Sequence, residues 1–130
     1  MRDIRSNSDL APSLQPAART NGTATGSTVD RQGYDAAMVV FSFGAWTDGT
    51  HTPSVQHSTN GTAWDACGTA DLQGTVAAVS GTAGQNAIQR VGYVGNRRYV
   101  RAMMVTASAT TGAVSAGLVV RENPHVGPLA

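Results

Sequence analysis

Apolar residues recur along this chain mainly in twos and almost never in threes and fours, the period of strands rather than helices. The first strong run is Tyr34 to Phe43, where Val39, Phe41 and Phe43 share one face while Met38 and Val40 take the other. Apolar on both faces, it predicts a central, largely buried strand. Gly44 to Pro53 is a loop carrying Trp46 and the turn dipeptide Asp48–Gly49, and a strand follows over Pro53 to Ser58.

Asn60–Gly61 reads as a two-residue hairpin loop of type I′, since both residues tolerate the positive φ that such a turn needs. That loop would place His57 opposite Trp64 and Val55 opposite Ala66, with the His57 ring packed on Trp64. A short strand is expected around Gly74 to Val79, then a Gly-rich loop to Ala87.

A second hairpin, Gln89 to Thr106, pivots on Gly95–Asn96, so that Val91 faces Val100 and Arg90 faces Arg101. Its apolar positions Val91, Tyr93, Val100, Ala102 and Met104 fall on one face without adjustment. Val114, Ala116, Leu118 and Val120 alternate through a last strand. About seven short antiparallel strands at regular spacing fit an all-β fold, a single small β-sandwich.

The ends read differently. Residues 1–28 carry Pro12 and Pro16 among Ala, Ser, Thr, Asn and Gly, with Ile4, Leu10 and Leu14 as isolated anchors. The segment has too little apolar content to serve a core, and predicts either a flexible, disordered tail or an extended arm ordered on a partner, the three anchors favouring the arm. The sandwich then occupies 29–122, and 123–130, with Pro124, His125 and Pro128, forms an extended tail.

Composition sharpens this picture. In 130 residues, Ala, Gly, Thr and Ser fill 60 positions, and the large apolar types from Val to Tyr number only 32, so the core must be thin. All nine cations are Arg, against seven Asp and one Glu, for a net charge of +1. Near-absence of Glu and Lys argues against helices. So balanced a charge offers no basis for phosphate binding by a basic face, and no nucleic-acid partner is expected. Weak self-repulsion points to assembly.

The chain begins with Arg2, Asp3 and Arg5 rather than an apolar secretion signal, and no stretch approaches the length of a membrane helix, so it is expected to fold in a cytoplasm without a membrane partner.

Candidate chemistry is sparse. His51, His57, Cys67 and His125 lack ligand spacing, which predicts no metal site, and Cys67 reads as a small buried apolar residue. Asp30, Asp35, Asp48, Asp65 and Asp71 lie beside Gly or at strand ends, where Asp usually makes turns. No constellation converges on catalysis, and neither an enzyme nor a cofactor is predicted. The arginines are more informative: Arg90, Arg97 and Arg101, with Tyr99 near enough to stack, describe either a solvated sheet face or a docking surface for acidic residues of another chain. Trp46 in its loop offers a stacking platform for a glycan.

Four strings carry a family resemblance: MRDI at the start, SVQHSTNGTAWDACGTADLQG from Ser54 to Gly74, VGYVGNRRYVRAMM from Val91 to Met104, and VVRENPHVGP from Val119 to Pro128. In them the chain resembles small structural virion proteins of tailed phages, prophages and gene-transfer particles encoded among head genes. The acidic residue usual before the first turn is replaced here by His57 and Ser58. The resemblance implies a capsid decoration or cement protein, located on the capsid surface of a virion assembled in the bacterial cytoplasm. Its partners would be the major capsid protein and copies of itself in a small cyclic oligomer. A receptor- or glycan-binding module, or a head–tail connection component, is the alternative. The surfaces expected to carry such contacts are Ile4, Leu10 and Leu14 in the arm, Trp46, the group Arg90, Arg97, Tyr99 and Arg101, and Pro124 with His125 in the tail.

Overall fold

A computed structural model describes residues 3–125. Ten strands follow one another: β1 (Ser8–Arg19), β2 (Gly22–Thr25), β3 (Val29–Asp30), β4 (Tyr34–Trp46), β5 (Thr50–Ser58), β6 (Asp65–Ala66), β7 (Leu72–Gln73), β8 (Ile88–Tyr93), β9 (Tyr99–Ala107) and β10 (Ala113–Pro124). Among the described residues the only helical element is a single 3-10 turn, Thr82–Gly84, so no helix is long and apolar enough to cross a membrane. Two antiparallel sheets pack face to face as the expected sandwich. Sheet A runs β1-β10-β4-β8-β7; sheet B runs β2-β9-β5-β6, with β3 also on β9.

β4 is central, as its two-faced pattern predicts. Val39, Phe41 and Phe43 point inward and are buried, facing Val55, Val100, Ala102 and Met104 of sheet B. Met38 and Val40 point outward and stay half-buried.

The hairpin pivoting on Gly95–Asn96 is not formed. β8 pairs with β4 and β9 pairs with β5, so the chain crosses from one sheet to the other between Tyr93 and Tyr99. The inward residues are as expected, because Val91, Tyr93, Val100, Ala102 and Met104 are all buried. Their partners are not: alternation sets which side chains face the core, and both inner faces of a sandwich obey the same period. Arg90 therefore pairs with Val40, and Arg101 with Gln56, on opposite sheets. The crossing is held by Arg31, which donates from Nε to the Arg97 carbonyl at 2.9 Å and from Nη2 to that of Gly95 at 3.3 Å. Gly95 must lack a side chain there, since a Cβ would lie 2.5 Å from the Tyr93 hydroxyl oxygen.

The Asn60–Gly61 loop also departs from expectation. Only Gly61 has positive φ, and His57 pairs with Asp65 rather than with Trp64. Side chains take over the turn: Ser58 Oγ accepts the amide hydrogens of Asn60 and Gly61, while Asn60 Oδ1 accepts those of Thr62 and Ala63. The extra loop residue shifts the register by one.

The N-terminal segment is the largest correction. Residues 8–25 are part of the sandwich: β1 forms the edge of sheet A against β10, and β2 forms the edge of sheet B against β9. Leu14 is 3% exposed and belongs to the core. The buried Ser13 hydroxyl joins the two layers, accepting the Ala102 amide hydrogen at 2.9 Å and donating to the Ser27 carbonyl at 2.9 Å. Burial is achieved non-locally, by pairing with the far end of the chain, which local composition cannot register. Pro12 and Pro16 are tolerated because β1 is an edge strand with two register shifts. At the other end β10 continues through Pro124, paired with Tyr34, and the His125 amide donates to Gly33 O at 2.7 Å. The expected tail from 123 thus begins inside the fold, and its remainder, 126–130, lies outside the described residues.

Leu14→Ala is expected to cost about 3 kcal/mol of unfolding free energy in urea titration, the scale of a truncated core leucine. Removal of residues through Leu14 should abolish cooperative unfolding. A free-standing arm would leave both measurements unchanged.

Candidate functional site

Four groups of side chains could carry function, and three of them are consumed by the fold. The first surrounds Tyr93. Its hydroxyl accepts the Arg97 amide hydrogen at 3.1 Å and lies 2.8 Å from His57 Nδ1, the two rings meeting edge to face. On its other side the His57 ring places Nε2 3.9 Å from Asp71 Oδ2. Trp64, expected on His57, instead lies under the Arg101 guanidinium at 4.1 Å.

Burial, with the Arg97 charge adding, holds His57 below the ordinary histidine range against the pull of Asp71 and Asp65. Burial likewise raises Tyr93. Cys67 beside them is pushed up to about 12 by burial, Asp71 adding, so it remains a thiol and no nucleophile. Asp, His and Tyr in a row resemble a proton relay, but His57 is 4% exposed and clamped between the sheets. Among the described residues no three His, Cys, Asp or Glu side chains converge on a metal position.

The second group is the arginine set. Arg97 reaches Asp65 at 2.6 Å, and Arg98 forks onto both Asp30 oxygens at 2.9 and 2.7 Å while its guanidinium stacks on Tyr99. Arg101 places two donors on Gln56 Oε1. Of the predicted docking cations, Arg97 and Arg101 are therefore engaged internally, and Tyr99 serves as a platform for its neighbour. His125 lies 2.6 Å from Asp35, and Pro124 closes β10.

At the opposite end Trp46, the expected glycan platform, is packed against the core, donating from Nε1 to Gly49 O at 3.0 Å. Asp48 accepts amide hydrogens from Gly112, Thr110 and Thr111, which hold its carboxyl below the usual range. His51, fully buried, bridges Thr106 Oγ1 and the Asp48 carbonyl. These are loop anchors.

The fourth group is the outer face of sheet A. On β10 the buried positions are Ala113, Ser115, Gly117 and Val119, so the apolar set Val114, Ala116, Leu118 and Val120 points outward. Across the ladder Val120 stands between Leu10 and Met38, and Leu118 between Pro12 and Val40. Ile88 extends the surface onto β8. Leu10, Ile88 and Val114 are 62%, 71% and 42% exposed. An antiparallel sheet with one face on its core ordinarily offers polar residues on the other. This one offers apolar residues on four strands, grouped most closely where β1, β10 and β4 adjoin. Of the predicted contact residues, Leu10 and Arg90 lie on it; Leu14 does not, and Ile4, 68% exposed, precedes β1. The two-faced pattern of β4 already signals it.

Comparison of the chain with protein-family models, curated proteins and solved structures finds no match.

The His57 arrangement predicts acid sensitivity. The folded chain keeps His57 neutral where the unfolded chain, titrating near the ordinary value of 6.5, takes up a proton. Stability present above that pH is therefore lost as pH falls through the lower folded value. Thermal midpoints measured from pH 7.5 to 4.5 should fall more steeply for the native chain than for His57→Gln, which starts lower and runs flatter. Parallel curves would remove His57 from the explanation.

Proposed function

We propose that this chain is a non-enzymatic structural protein of a phage-type particle, a capsid decoration or cement protein that joins an assembled shell of major capsid protein. The observation that supports this reading best is the outer face of sheet A, where Leu10, Met38, Val40, Leu118 and Val120 form an uncovered apolar surface. Surfaces of this kind mark interaction sites rather than solvent boundaries. The family resemblance of the four sequence strings points the same way. The polar groups that could do chemistry are spent on internal bonds, as with His57, Tyr93, Asp48 and His51. Trp46 is likewise spent, which weighs against a glycan-binding module built on its loop.

Particles produced with and without this protein should differ: those containing it carry extra density on the shell and retain their contents to higher temperature. Leu118→Asp should fold normally yet be lost from purified particles. Particles of equal heat stability, without added density, would overturn the reading.

A further inference from the structure

The outer face of sheet A carries its own instructions for what covers it. Along β1, β10, β4 and β8 its outward positions hold two charges, Arg90 and Glu122. Arg90 is exposed and has neither an ion-pair nor a hydrogen-bond partner among the described residues. Glu122 is exposed and accepts one hydrogen bond from Ser8 Oγ at 3.0 Å. The rest of the face is apolar or neutral.

The register fixes where these charges sit. Met38 lies on β4 midway between Ala36, which pairs with Glu122 on β10, and Val40, which pairs with Arg90 on β8. Arg90 and Glu122 are thus equidistant from Met38 in opposite directions, one strand and two residues away on either side. At about 4.8 Å between strands and about 3.4 Å per residue, they stand about 17 Å apart with Met38 at the centre. A two-fold axis lying in the face, through Met38 and perpendicular to that line, exchanges them. Two copies related by it bring Arg90 of each over Glu122 of the other, and Met38 against Met38. Such an axis crosses the strands of the two sheets at about 70°, near the orthogonal class of sheet packing.

We infer that the face is covered by a second copy of this chain, in an isologous dimer of facing sheets centred on Met38 and fastened by two Arg90–Glu122 pairs. A shallow hollow of about 150 Å³ beside Met38, lined by Ala36, Ala37, Val120 and Glu122, gives the partner's methionine somewhere to enter. Methionine is flexible enough to fill it. A nucleic acid or a strongly acidic partner fits worse, since one free cation stands on an otherwise apolar surface. The footprint, four strands by about six residues or about 400 Å², is half that of a standard interface partner, which places the dimer in the weak, reversible range. This inference rests on the assembly reading above in taking the face to be covered at all; it assigns the face to self-association, which leaves contact with a shell to the surfaces the dimer keeps open.

Sedimentation velocity of the purified chain over a concentration series tests it, with circular dichroism confirming that each variant is folded. Native protein should dimerise with a dissociation constant on the order of 10 µM. Arg90→Glu and Glu122→Arg should each weaken the dimer about tenfold or more by setting like charges together, and the double exchange should restore it to within about threefold. Met38→Asp, which meets itself on the axis, should be monomeric. A chain that stays monomeric throughout, or a dimer indifferent to both single exchanges, overturns the inference; incorporation into particles, measured separately, decides the assembly reading.

Discussion

The structure depends on how closely β10 lies against the opposite sheet. A Cβ added to Gly117 would come within 3.0 Å of the Ala102 methyl and 3.4 Å of Leu14, so any larger residue there would press these two side chains back by a few tenths of an ångström. Ala113, Ser115 and Gly117 line the inward side of the strand, and the large residues that fill the interior come from Phe41, Phe43, Tyr93 and Met104. With a chain so poor in bulky apolar residues, thin walls are what let few side chains fill the space between the sheets. The same strand buries Val119 and turns Leu118 and Val120 away from the interior, onto the uncovered face.

Directed polar contacts supplement the limited apolar burial. Ser13 joins β1 to β9, the Tyr93 hydroxyl joins sheet A to His57 of sheet B, and Asp48 gathers three successive amides of the β9–β10 loop. Arginine without lysine suits this scheme. A planar fork can hold two carbonyls, as Arg31 does, and still lie flat on an aromatic ring. Arg98, Arg101 and Arg121 stack in the same way on Tyr99, Trp64 and Tyr34. A cationic side chain is here a structural clip, and the arginines of the stretch 97–101, which read as a docking surface in sequence, are engaged within the chain.

What was legible in the sequence was local. The central place of β4 and the inward positions of β4, β8 and β9 follow from side-chain alternation, which the pleat enforces, although β4 runs on to Trp46 through residues that read as loop. Pairing partners did not follow, because Val91 and Val100 satisfy the same pattern whether they share a ladder or face each other across the core. The two turn dipeptides misled for separate reasons: Ser58 and Asn60 side chains rebuild the first loop, and Arg31 with Tyr93 bends the second into a crossover. β1 was invisible because its partner stands about a hundred residues away. Of the candidate contact surface, Leu10 and Arg90 were found from sequence, while Met38, Leu118, Val120 and Glu122 were not singled out as contacts. The doubly apolar pattern of β4 was the signal, and it became interpretable only once one of its faces was seen to lack a cover.

The pairing of the first strand with the last has a kinetic side. Sheet A lacks its edge, and Leu14 its place in the core, until β10 emerges and returns to β1, so little of this layer can form while the chain is being made. Loop closure on that scale puts final consolidation late, after sheet B has had the chance to gather around β5 and β9. Because β10 also supplies Leu118 and Val120, the outer apolar face of sheet A is completed in the same event that closes the domain.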